Sequence, residues 1–312
     1  MGYRRSEYDV TDRVNTTDVQ QVCAEVCRIY QDLYQSDGSA VLKQAFADFE
    51  RLYRGHEADY HACDTEYHDI QHVLDVTLAM ARMMDGAVRA TNATVITGRL
   101  FLFGIVSALF HDAGYIRRRK DRRHRHGAEY TRIHVSRGGR LLEDYFARLG
   151  MADLGPAAAR VVHFTGYEMR IADIRVDPEH RLIGNLLGSA DLLAQMADRC
   201  YLEKCHDRLY PEFVHGGLVE QRGADGRVQV VYGSAAELIY KTSDFSRAVT
   251  QRLDNELGAE HRHVVHHFGG QHVYWEELQK NVRHAEEIAA RRDVGLLRRQ
   301  PPVTLKNVTS EE

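Results

Sequence analysis

The chain reads as an all-α protein, on three observations. Apolar residues recur at three- and four-residue steps through most of its length, as in Val19, Val22, Val26, Ile29 and Leu33, which is the spacing of an amphipathic helix. Residues 100–110 form an apolar run that stops at His111-Asp112, as a buried helix would. Only residues 217–232 alternate in the manner of strands, with Ala224-Asp-Gly226 suited to turn a small hairpin at the rim of the fold.

Taken in order, residues 17–52 form amphipathic scaffold helices broken near Ser36-Asp-Gly-Ser39. Helices are then expected at 68–84, 97–111, 127–149, 156–164 and 180–203, with Gly86, Gly150 and the Asp177-Pro178 turn as stops. Beyond the hairpin, helices resume at 234–257 and 274–290, and residues 293–312, with Pro301-Pro302 and a polar end, read as a disordered tail. No internal repeat is visible. The domain reading is an N-terminal helical scaffold over 1–55, a central functional domain over 56–215, and a hairpin with helices over 216–292 packed on that same domain.

Composition narrows the class. With 312 residues, 44% of them hydrophobic, the chain can bury a large core, and its net charge of -4 gives no basic excess to attract nucleic acid. The longest apolar run is about half the ~20 residues of a bilayer crossing, so a cytoplasmic protein without a membrane partner is expected. Gly2 with Ser6 fits the loose myristoylation pattern, which is common by chance. Cys23, Cys27, Cys63, Cys200 and Cys205 form no C-x-x-C pair and read as reduced, structural thiols.

His111-Asp112 is the most informative feature. Adjacent side chains on a helix diverge by about 100°, so an imidazole and a carboxylate side by side in an apolar setting suggest one bound ion. In Tyr67-His-Asp-Ile-Gln-His72, His68 and His72 are four apart and would share a helix face. His134, His163 and Asp191 each place a polar group on an otherwise apolar helical pattern. Singly, each is explained by a satisfied core residue; together, four imidazoles and two carboxylates make a mixed nitrogen and oxygen set suited to two divalent ions, Mn, Fe, Mg or Zn, bridged by Asp112. Two such ions activate a water and neutralise charge at phosphorus, so phosphate ester hydrolysis is the natural chemistry.

His72, His111-Asp112 and Asp191 resemble the H…HD…D signature of the HD-domain phosphohydrolase superfamily, an all-helical bundle, over about residues 60–205. Residues 67–72 are similar to the Y-H-N-x-x-H segment of cyclic-nucleotide phosphodiesterases, which implies that His68 is the general acid and His72 a metal ligand. Residues 134–142, 159–163 and 190–201 are similar to the HD-GYP class, which implies His134 and His163 as ligands of a second metal. The GYP motif is missing, His163 is followed by Phe164-Thr-Gly-Tyr167, Asp69 replaces the asparagine of the first motif, and Tyr115 stands where a further histidine is usual. The resemblance thus implies a two-metal phosphohydrolase or phosphodiesterase acting on a small phosphorylated or nucleotide substrate through a metal-activated water, with Asp112 catalytic as the bridge, and allows a homo-oligomer. Adjacent carboxylates, Asp69 or Asp75, would keep His68 protonated. Two rivals stand beside it: an HD-domain di-iron oxygenase, and a catalytically silent ligand-binding regulator.

Three other features carry possible roles. Residues 117–126 place seven basic side chains after the doublet, so Arg117 and Arg118 could draw phosphate to the mouth of the site, or the run could be a solvated loop. Residues 201–213 could form a pocket wall, although a helix end packed on the scaffold is the plainer reading. The histidine-rich segment 261–267 reads as structural.

Overall fold

The computed structural model describes residues 4–35, 38–90, 96–222 and 228–303, and the fold is all-α. Its helices are α1 Val19–Tyr34, α2 Ser39–Tyr53, α3 Ile70–Arg89, α4 Gly98–Phe110, α5 His134–Arg148, α6 Gly155–Val161, α7 Pro178–Ala197, α8 Tyr201–Lys204 and α9 Tyr210–His215. Strands β1 Glu220–Arg222 and β2 Val228–Val230 follow, then α10 Ala235–Tyr240, α11 Thr242–Gln251, α12 Val264–His267 and α13 Val273–Arg291. The two strands pair antiparallel, Gln221 opposite Gln229, as the alternating pattern predicts; the proposed turn at 224–226 lies outside the described residues.

Local chemistry explains the boundaries. The side chains of Asp18, Asp69, Thr97 and Ser234 accept backbone N–H groups in the first turns of α1, α3, α4 and α10. Every residue from Leu100 to Phe110 is buried, so α4 is the central rod, with α2, α3, α5, α6 and α7 packed about it. One buried cluster runs from Val14 to Ile288, which puts the scaffold helices, the middle of the chain and the C-terminal helices in a single core.

Four expectations need correction. Gly86 does not stop a helix: α3 continues to Arg89, and Gly86 is where the backbone of His263 crosses it, since a Cβ there would lie 2.0 Å from the His263 carbonyl oxygen. His68 is not on α3. Asp69, with extended backbone and its carboxylate on the His72 N–H, caps the helix one residue later, so His68 and His72 share no helix face. His134 opens α5 rather than sitting mid-helix, because residues 127–130 form a separate 3-10 turn. The tail is ordered through residue 303: the Arg299 N–H donates to Glu203 at 3.1 Å, its guanidinium to Asn281 at 2.9 Å, and Arg208 donates to the Pro302 carbonyl. Residues 304–312 lie outside the described residues.

Replacing Gly86 by alanine tests the crossing. Helix propensity alone would favour alanine by about 1 kcal/mol, whereas the overlap with His263 costs roughly 1–3 kcal/mol net. Urea denaturation should therefore show a destabilised Gly86→Ala protein; equal or higher stability would mean that α12 does not cross α3 at this point.

Candidate metal centre

Helix ends position most of the site. His111 is the C-terminal cap of α4, and its Nδ1 donates to the Ala108 carbonyl at 2.8 Å, which leaves Nε2 as a lone-pair donor. Asp112 follows in the turn. His134, at the start of α5, repeats the device, with Nδ1 donating to the Thr131 carbonyl at 2.7 Å. Gly114 lets these two ends meet, since a Cβ there would lie 1.8 Å from the His134 carbonyl oxygen. His72 stands in the first turn of α3, and Asp191 comes from the middle of α7, which packs along α3.

These side chains converge. His72 Nε2 is 3.4 Å from Asp112 Oδ2 and 3.4 Å from Asp191 Oδ1, while His111 Nε2 is 3.2 Å and 3.9 Å from the same two oxygens. His134 Nε2 is 3.6 Å from the other Asp112 oxygen, Oδ1. His72, His111 and Asp191 offer ligand atoms all within 4.8 Å of one another. His111 Nε2 and Asp112 Oδ2 are buried without a hydrogen-bond partner, although a buried unpaired polar atom costs about 1–3 kcal/mol. Ligands at ~2.0–2.2 Å from a common ion stand roughly 3–3.5 Å apart, which three of these four separations match, the His111–Asp191 distance of 3.9 Å being longer. The residues therefore fit a divalent cation held by His72, His111, Asp112 and Asp191, and Asp112 turns its second oxygen toward His134.

His163 is placed differently. It lies half-buried in the 3-10 turn Val162–Phe164, forms no ion pair with Asp112 or Asp191, and does not line the cavity described below. Its Nδ1 is buried without a partner, and burial lowers its pKa.

The electrostatics of the cluster are those of negative charge seeking cations. Burial opposes a charged His72, yet Asp112 and Asp191 outweigh it and push its pKa up to about 10. His111 is raised on the same balance of burial against Asp112. Burial also opposes ionisation of Asp112, but the surrounding imidazoles hold its carboxyl well below the usual range. At His134 burial dominates and lowers the pKa.

His68 reaches the site from the loop ahead of α3, and its carboxylate partner is neither Asp69 nor Asp75. Asp69 is spent on the helix cap, and Asp75 is partly buried near Asp198 and Lys204 with its pKa raised to about 7 by burial. Glu212, 3% exposed on α9, accepts from Tyr67 N at 2.6 Å and stands 2.6 Å from His68 Nδ1. Burial disfavours a charged His68, but Glu212 reverses this and raises its pKa. The ring stacks on Tyr115, which stacks in turn on His134, at centroid distances of 4.5 Å and 4.2 Å. Tyr115, which departs from the phosphodiesterase pattern, thus separates the two imidazoles. Glu212 was missed because it is 144 residues from His68; its one signal is a carboxylate inside the aromatic run Tyr210-Pro-Glu-Phe213.

A cavity of about 520 Å³ opens onto His68, His72, Asp112, His134 and Asp191. Arg117 and Arg118 do not line it. Arg117 is held by Asp64 at 2.8 Å, and Arg118 bridges to Tyr60 and lies over its ring, so the basic run is drawn onto residues 59–64. The cations at the cavity are Arg132 and Lys241. Tyr201, Cys205, Leu209 and Phe213 do form a wall, the reading that the sequence left second. In the histidine-rich segment, His267 pairs with Asp85 at 2.6 Å and His261 stacks on Trp275, both structural roles.

A family model described as Npun_R2479-like matches residues 57–235, more than half of the chain. The chain belongs to this family. The matched region takes in every site residue from His68 to Glu212 and ends before α11. No curated protein and no solved structure matches the chain.

The His72 shift predicts a pH dependence. A pKa raised from 6.5 to about 10 stabilises the metal-free fold fully below pH 6.5, and that contribution is lost as pH rises toward 10. Ligand imidazoles must be neutral to bind an ion, so metal affinity rises over the same window. Metal-stripped protein should lose melting temperature between pH 6.5 and 10, and added Mn²⁺ or Zn²⁺ should restore it in the wild type but not in Asp191→Ala. A melting temperature insensitive to metal throughout would remove the ion from this site.

Proposed function

We propose that the protein is a metal-dependent phosphohydrolase that cleaves a phosphate ester. The observation that carries this reading is the convergence of His72, His111, Asp112 and Asp191 around unpartnered buried ligand atoms, with the His68–Glu212 pair on the same cavity wall. His72, His111, Asp112 and Asp191 would hold one divalent ion, and Asp112 with His134 would contribute to a second; such ions supply Lewis acidity toward a phosphoryl oxygen and a water of lowered pKa.

The chain's own residues supply the proton chemistry. Glu212 fixes His68 through Nδ1, so that Nε2 carries the transferable proton when the ring is charged. In the displacement, a water that has released one proton to solvent bonds through its oxygen to phosphorus, the bond from phosphorus to the ester oxygen breaks, and His68 Nε2 gives its proton to that departing oxygen. Glu212 keeps the imidazolium available near neutral pH, and Tyr115 holds the plane of the ring. The neutral imidazole left after the step recovers a proton from solvent, to which the ring is partly open.

Protonation of the leaving oxygen matters most when that oxygen leaves reluctantly. His68→Ala should therefore retain its metal, lose about 10²–10⁴ in kcat on an alkyl or phenyl ester, and lose less on a p-nitrophenyl ester, whose leaving group departs unaided. Glu212→Gln removes the charge that raises the His68 pKa, so the alkaline limb of the rate profile should move to lower pH. Equal losses on good and poor leaving groups, with an unmoved alkaline limb in Glu212→Gln, would take His68 out of the proton-transfer role.

A further inference from the structure

The cavity has two chemically different ends. The polar end carries the candidate metal ligands and His68. The opposite wall comes from segments later in the chain: Leu209 just ahead of α9 and Phe213 within it, Leu218 and Tyr232 flanking the hairpin, and Leu238 and Phe245 from α10 and α11. All six are only partly buried in the protein, and the Phe213 and Tyr232 rings lie stacked at 5.9 Å. Apolar side chains from four elements turned toward one cavity leave unsatisfied hydrophobic surface, which an apolar ligand group would cover.

Charge limits the rest of the ligand. Lys241 is committed to Glu237 at 2.6 Å and to the Val231 carbonyl at 2.7 Å, and Arg132 donates to the Gly217 carbonyl at 2.8 Å. Glu168 adds a carboxylate to the lining and is engaged at the start of α5. The cluster of free cations that a polyphosphate chain needs is absent among the described lining residues. At the mouth, Tyr167 is 73% exposed, with the Arg252 guanidinium 4.1 Å from its ring centroid, and presents a flat aromatic edge.

We infer that the substrate is a single-phosphate ester whose alcohol carries a bulky apolar or flat aromatic group, with the phosphate at the polar end and the organic group against the Phe213–Leu238 wall. This inference rests on the phosphoester reading of the polar end and deepens it. The cavity, at about 520 Å³, falls within the ~300–1,000 Å³ of pockets that enclose a small organic molecule.

Titration calorimetry of the Mn²⁺-loaded full chain with phenylphosphonate and methylphosphonate tests it, in the wild type, Phe213→Ala, Leu238→Ala and the exposed-lip variant Tyr167→Ala. Phenylphosphonate should bind at least about tenfold more tightly than methylphosphonate, the energy of ~1.4 kcal/mol that burial of part of a ring provides. Phe213→Ala and Leu238→Ala should erase most of that ratio while leaving methylphosphonate affinity within about twofold, which a misfolded variant could not do. Tyr167→Ala, which cannot disturb the core, should reduce the ratio in part. Equal affinities for the two ligands in the wild type, no binding of either, or a ratio untouched by all three variants would overturn the inference. Discrimination without turnover of phenyl or p-nitrophenyl esters under any divalent metal would sink the hydrolase reading and leave the apolar wall standing as a binding site. Turnover with no discrimination would do the reverse.

Discussion

The constraint on which the structure depends is the ionised carboxylate of Asp112, buried where the largely apolar helix α4 ends. An isolated carboxylate in such a place would be neutralised or expelled. It is kept by imidazoles from three directions, His111 from its own turn, His72 from α3 and His134 from α5, and these fix where the three elements stand. Asp191 adds a second negative group facing the same imidazoles, so α7 is bound to the cluster as well. Two carboxylates and three imidazoles without good hydrogen bonds among them are the groups that the proposed cation would engage.

Around this centre the fold keeps other charges buried and pairs them well. Arg82 of α3 meets Asp9 at 2.6 Å and donates to the Tyr274 hydroxyl at 3.0 Å, which joins the N-terminal segment, α3 and α13. Lys204 meets Asp198 at 2.5 Å and donates to Gln71 at 2.8 Å, next to His72 in sequence. Such pairs contribute little net stability, because desolvation offsets attraction, but removing one partner is expensive, so they select one arrangement of the helices. Arg82 and Lys204 hydrogen-bond directly to their partners, whereas His111 Nε2 and Asp112 Oδ2, 3.2 Å apart, form no hydrogen bond.

Much of this was legible in the chain. The all-α class and the central helix 100–110 follow from apolar periodicity, and His72, His111, Asp112, His134, His163 and Asp191 stand out as polar groups that interrupt it; their grouping rested on donor chemistry and on the resemblance, and His163 is the member that the fold leaves apart. The details that went astray are local and have local causes. Asp69 capped α3 and left His68 in a loop, Gly86 served a helix crossing rather than a helix end, and Arg117 met Asp64 instead of the cavity.

What the sequence by itself determined is the helices and the polar residues set into their apolar faces, because helix periodicity and the cost of burying polar groups act over a few residues and can be read in order. What only the tertiary structure decided is which distant groups meet. Glu212 reaches His68 across 144 residues, and the wall from Leu209 to Phe245 lines the same cavity as His72, Asp112 and Asp191. Those pairings depend on how whole helices pack. Packing is settled by the shape and volume of the entire core, a property no single stretch of sequence carries.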